Sequence, residues 1–103
     1  MDRFEQLHKL IEANPGDPFL HHALALEHIK KGDDSKAREL FESILARDPA
    51  YVGSYYHLAK LYERTGDTEL AVKTYERGIE EARKAGDELS LREMRSALEE
   101  LIF

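Results

Sequence analysis

The sequence has no cysteine and no tryptophan, only three prolines, and no apolar run long enough to cross a membrane. Without cysteine there is neither a disulfide framework nor a Cys-ligated metal. Basic residues are also outnumbered: 15 Lys and Arg against 21 Asp and Glu give a net charge of −6. That balance works against nucleic acid, whose affinity comes mainly from Lys and Arg facing phosphates. The opening residues Met1-Asp2-Arg3-Phe4-Glu5 carry acid where a signal peptide carries base, and no apolar core follows. The starting Met and the missing export signal predict a complete cytoplasmic chain. What is present is 103 residues, 42% hydrophobic and 35% charged, the length of one small domain.

Glycine and proline punctuate this chain. Asn14-Pro15-Gly16-Asp17-Pro18 and Asp48-Pro49 break it, and Gly-Asp occurs at residues 16–17, 32–33, 66–67 and 86–87. In each pair the Gly suits the left-handed position that ends a helix, and the Asp suits the cap of the next. Between the breaks, apolar residues recur at helical spacing: Phe4, Leu7, Leu10 and Ile11 make one stripe, and Ala37, Leu40, Phe41, Ile44 and Leu45 another. No stretch alternates with period two. The pattern predicts an all-α chain of six helices, at about 3–13, 18–31, 34–47, 51–64, 68–85 and 88–101.

A shift of 34 residues lays the chain on itself. Leu24-Ala25 falls on Leu58-Ala59, Gly32-Asp33 on Gly66-Asp67, Ala37 on Ala71, Phe41 on Tyr75, His21 on Tyr55 and His28 on Tyr62. Leu7, Leu10 and Ile11 fall on Phe41, Ile44 and Leu45, so the first helix is the second half of a repeat whose first half is absent. The four alanines are small where two helix backbones must approach closely. Gly78 sits in a helix interior, where it costs about 1 kcal/mol relative to Ala, and a close contact there would compensate.

These residues resemble the tetratricopeptide repeat (TPR) family, and small stand-alone bacterial proteins of it in particular. The resemblance implies antiparallel helical hairpins stacked in a right-handed superhelix. It divides the chain into a half repeat (1–17), two repeats (18–51 and 52–85) and a capping helix (86–103). Two departures matter. His21 and His28 replace large aromatics, which predicts looser packing in the first repeat. Arg83 replaces the closing Pro, which predicts that the fifth helix runs on through Lys84.

Chemistry is sparse. The Gly residues are isolated helix ends, not a phosphate loop, and no serine has a nucleophile-elbow context. The five His offer no third ligand at metal spacing, so no metal, cofactor or enzymatic site is expected. The resemblance instead implies a non-catalytic protein–protein interaction module, holding a peptide or partner helix in a concave groove. Its groove positions fall on Phe19, His22, Leu26 and Ile29 in one repeat and on Tyr56, His57, Lys60 and Arg64 in the next. Only part of the family's terminal-carboxylate clamp is present, so chaperone-tail binding is not expected. A peptide with apolar anchors and an acidic group near Lys60 and Arg64 suits this set better. The alternative is a scaffold that self-associates into a homodimer through its apolar face or through the tail Leu101, Ile102 and Phe103. Ile102 and Phe103 otherwise fold back on the last hairpin. A third reading makes His22 and His57 contacts for a metal or small ligand.

Overall fold

Aspartate precedes five of the six helices, and its side chain caps four of them. In the computed structural model, which describes residues 1–103, the helices are α1 (Arg3–Ala13), α2 (Pro18–Lys30), α3 (Asp34–Arg47), α4 (Gly53–Arg64), α5 (Thr68–Ala85) and α6 (Glu88–Ile102). Asp2, Asp17, Asp33 and Asp87 accept from the backbone N–H of Glu5, Phe19, Lys36 and Ser90 at 2.9–3.1 Å. Each bond satisfies a donor that the helix geometry orphans. The two Ser90 hydrogen bonds hold the Asp87 carboxyl below its usual range. Asp67 behaves differently: it precedes α5 but makes no backbone cap, and takes the Thr65 hydroxyl at 3.0 Å instead. Helix α4 starts two residues later than the apolar pattern predicts. Tyr51 and Val52 form a turn, closed by Ser54 N–H to the Tyr51 carbonyl, and no side chain caps the helix.

Three helix ends share one chemistry. The Asp33, Asp67 and Asp87 N–H groups donate to the carbonyls of His28, Tyr62 and Ala82, five residues back, at 2.8–2.9 Å. This bond requires the preceding residue to be left-handed, and Gly32, Gly66 and Gly86 have φ of 81°, 81° and 71°. Gly16 does not join them. Helix α1 stops at Asn14, and a turn closed by Asp17 N–H to the Asn14 carbonyl carries Gly16 with no positive φ. Pro15 and Pro18 already break the helix there, so a left-handed residue is not needed.

The chain forms two compact units, Met1–Asp48 and Pro49–Phe103. In the first, α2 packs between α1 and α3. Leu7, Leu24, Ala25, Ala37 and Phe41 form its core, with Ala25, Ala37 and Phe41 wholly excluded from solvent. In the second, α5 packs between α4 and α6. Its core is Tyr55, Ala59, Leu61, Ala71, Tyr75 and Met94. Helix α5 does run on past the position of the missing Pro, to Ala85. Gly78, near its middle, is the contact point: a Cβ there would lie 2.5 Å from Met94 Sδ and 2.6 Å from Tyr55 Cβ.

His21 shows how the first unit accommodates its substitutions. The Tyr55 hydroxyl donates to the Pro49 carbonyl at 2.6 Å. Thirty-four residues earlier, His21 Nε2 lies 2.8 Å from the Pro15 carbonyl, so Nε2 carries the proton. The imidazole keeps the bond but not the bulk, and a cavity of about 180 Å³ opens beside it, lined also by Pro18, Leu40 and Ile44. His28 is compensated from outside its repeat, by the Phe4 ring at 4.9 Å. His21→Tyr should therefore refill the cavity and raise the melting temperature by a few degrees, at about 0.8 kcal/mol per added buried carbon and 4–8 °C per kcal/mol. A melting curve settles it; a lower midpoint would mean that the ring does not reach the cavity.

Candidate functional site

The second unit carries a cleft between α4 and α6. Tyr56 and Lys60 are four residues apart and Glu63 follows three later, so all three project from one face of α4. The Lys60 ammonium lies 5.6 Å from the Tyr56 ring centroid and 3.6 Å from Glu63 Oε2. Beneath them Tyr75 of α5 is wholly buried. Its hydroxyl donates to the same Glu63 oxygen, and its ring meets Tyr56 edge-on at 6.4 Å. Burial first, and then the bond to the Glu63 carboxylate, push the Tyr75 phenol well above its ordinary range. The phenol is a fixed donor. It holds Glu63, Glu63 holds Lys60, and Lys60 is held over an aromatic face.

Helix α6 supplies the opposite wall. Tyr56 and Lys60 share a cavity of about 380 Å³ with Arg92, Ser96 and Glu100. A smaller one of about 130 Å³ continues it toward Gly53, His57 and Met94, and Tyr56 and Glu93 line both. Burial lowers the His57 pKa, which favours the neutral ring, and that ring packs edge-on against Tyr56 at 5.6 Å. Arg64, one helical turn past Lys60, is exposed at the end of α4.

The corresponding positions of α2 are apolar. Subtracting 34 places His22, Leu26, Ile29 and Phe41 where the second unit has Tyr56, Lys60, Glu63 and Tyr75. The edge-on ring contact survives, with His22 at 5.3 Å from Phe41. The polar chain does not, since no hydroxyl is buried and no carboxylate needs a donor. Leu26 and Ile29 are half-buried, and Phe19 is 63% exposed. The structure thus brings Tyr56, His57 and Lys60 together on one cleft and gives α2 an apolar face.

Three expectations change. Lys60, expected to stand near an acidic group of a partner, already has Glu63 beside it at 3.6 Å. The tail does not fold back: Leu101 is half-buried, but Ile102 is 51% and Phe103 99% exposed, because α6 continues straight to Ile102. The third correction concerns α6, whose cleft residues Arg92, Glu93, Ser96 and Glu100 escape the sequence reading. A signal for them exists. Asp87 caps α6 as Asp17 caps α2, and counting on from each Asp places Arg92 where α2 has His22, and Ser96 where it has Leu26. No group of three or more His, Asp or Glu side chains converges in the fold. No helix is long and apolar enough to cross a membrane.

The tetratricopeptide repeat model matches residues 28–93. A tetratricopeptide repeat domain protein from Salinibacter ruber, solved by NMR, is 48% identical and superposes with a TM-score of 0.82, covering 85% of this chain and 89% of that one. The TPR domain of Sgt2 from Aspergillus fumigatus is 25% identical, with a TM-score of 0.70 over 91% of this chain and 67% of that one. The Hsp70-Hsp90 organising protein of Plasmodium falciparum is 29% identical over 100 residues, 97% of this chain. The chain spans only 18% of that relative's length.

Proposed function

Because the chain belongs to the tetratricopeptide repeat family, whose domains generally mediate protein–protein interaction and are generally non-enzymatic, we propose that the α4/α6 cleft captures a peptide or helix of a partner protein. The observation that carries this reading is the convergence of Tyr56 and Lys60 of α4 with Arg92 and Glu100 of α6 on one cavity of about 380 Å³. The cleft takes side chains inserted from the partner segment. Tyr56 offers an aromatic face for an apolar side chain. Lys60 and Arg92, on facing walls, offer two cations to an acidic side chain, and Arg92 is the better of the two because Glu63 already balances Lys60. Glu93 and Glu100 disfavour a second acid, so the fitting segment has one acidic residue beside an apolar one.

The relative whose name speaks of Hsp70 and Hsp90 does not extend that role to this chain, where His22, Leu26 and His57 occupy three of the places the carboxylate clamp needs. Holding the contact residues on formed helices reduces the ordering cost of binding.

The test is a selection from a random peptide library on the wild-type domain, followed by titration calorimetry. Enriched peptides should pair Asp or Glu with a large apolar residue. Tyr56→Ala and Arg92→Glu should each weaken their binding by about 10–100-fold with an unchanged helical spectrum. Equal affinity of the variants would remove the cleft from the account.

A further inference from the structure

The cavity beside His21 has a size and a polarity that suit a ligand. It holds about 180 Å³, and a cavity of about 150 Å³ with apolar walls accepts one benzene ring. All of its lining residues belong to the first unit. Pro18 and His21 come from the first two turns of α2. Leu40, Ile44 and Arg47 come from α3, where spacings of four and three residues put them on one face.

That face changes character along the helix. Ile44 is buried and Leu40 half-buried, and with Pro18 and the imidazole they make the apolar walls. Arg47 and Asp48 also line the cavity, at the end of α3, with Arg47 exposed and Asp48 half-buried. One end of the space is therefore apolar, and the other carries a cation and an anion. No ion pair or side-chain hydrogen bond within the chain engages either charge. The Asp48 backbone is fixed, since its N–H donates to the Ile44 carbonyl at 2.7 Å.

The second unit differs at each of these places. At a shift of 34, Tyr55 replaces His21 and is 1% exposed, and Gly78 replaces Ile44. Glu81 and Ala82 replace Arg47 and Asp48. There the aromatic ring is built into the chain, and the pair of opposite charges is gone.

We propose that the cavity of the first unit binds a free α-amino acid with an aromatic side chain. The ring enters between Pro18, Leu40 and Ile44, supplying the bulk that His21 lacks. The carboxylate pairs with Arg47 and the ammonium with Asp48. A residue inside a polypeptide carries neither of those two charges, so the site selects the free amino acid over a side chain of a partner protein. This reading uses none of the residues of the α4/α6 cleft and does not depend on what that cleft takes.

Titration of the isotope-labelled protein with L-phenylalanine, followed by NMR, tests this. Three relatives of the probe serve as controls: hydrocinnamate lacks the ammonium, phenethylamine lacks the carboxylate, and glycine lacks the ring. The amide signals of residues around the cavity should shift with L-phenylalanine, at a dissociation constant of roughly 10 μM to 1 mM. Each relative should bind about tenfold or more weakly. Arg47→Gln should weaken L-phenylalanine by about tenfold and leave phenethylamine unchanged. Asp48→Asn should weaken L-phenylalanine to a similar extent and leave hydrocinnamate unchanged. His21→Tyr, which occupies the cavity, should abolish binding with an unchanged helical spectrum. Amide signals that do not move at about 10 mM L-phenylalanine would overturn the proposal. So would equal affinity for L-phenylalanine and the two singly charged relatives, or a folded His21→Tyr that binds as tightly as wild type.

Discussion

Gly78→Ala is expected to lower the melting temperature by about 5–15 °C, although alanine is the better helix former by about 1 kcal/mol. The added Cβ would sit 2.6 Å from Tyr55 Cβ and 2.5 Å from Met94 Sδ, against about 3.5–4.0 Å for carbons in ordinary contact. The thioether can swing away. Tyr55 cannot, because it is 1% exposed and its hydroxyl is anchored to the Pro49 carbonyl at 2.6 Å. Helices α4 and α5 must therefore part by about 1 Å, and overpacking of this kind costs roughly 1–3 kcal/mol. Adding Met94→Ala should not restore the midpoint, since it removes only the obstacle that could already move. Thermal unfolding followed by circular dichroism reads both. A midpoint equal to or above wild type in Gly78→Ala would show that the two helices yield without loss.

Phe41→Tyr is expected to destabilise the first unit by about 1–3 kcal/mol. Its counterpart Tyr75 is equally buried and keeps its hydroxyl only because Glu63 accepts from it. At the place of Glu63 the first unit has Ile29, which accepts nothing. A hydroxyl added to Phe41 would be buried among apolar neighbours without its acceptor. Ile29→Glu, introduced together with Phe41→Tyr, rebuilds the pair and should recover at least half of the loss. The interaction shows as non-additivity in a double-mutant cycle by urea unfolding. Strict additivity of the two changes would mean that the 34-residue correspondence does not extend to side-chain geometry.

Much of this fold is legible in the sequence because its signals are local. The starts of α1, α2, α3 and α6 follow from Asp caps, and the ends of α2, α4 and α5 from Gly stops, each within one turn of the helix concerned. The contact alanines and Gly78 follow from the need for close approach. The less legible features are those set by more than one segment. Gly16 reads like the other three glycines of Gly-Asp pairs, but the prolines on either side of it fix a different turn. The Tyr75–Glu63–Lys60 chain joins residues of two helices, and no periodicity within one helix reveals it. The α6 wall is hidden for another reason. Arg95 replaces the small residue by which a first-half helix is recognised, so the helix reads as a plain cap although Arg92 and Ser96 occupy cleft positions. Surface pairs such as Lys73 with Glu69 and Arg83 with Glu80 follow the three- and four-residue rule. They are too exposed to decide the fold.

The order of packing has a kinetic consequence. Within each unit every helix packs on its neighbour in the chain: α1 on α2, α2 on α3, α4 on α5 and α5 on α6. The connecting segments, residues 14–17, 31–33, 65–67 and 86–87, are two to four residues long. Bringing such helices together costs little chain entropy, and topologies of this kind fold in roughly microseconds to milliseconds. As a ribosome releases the chain, the α2–α3 hairpin can close as soon as Arg47 has emerged, before any residue of the second unit has emerged. Apolar side chains then spend little time uncovered during synthesis, and no strand edge is offered to another chain at any stage.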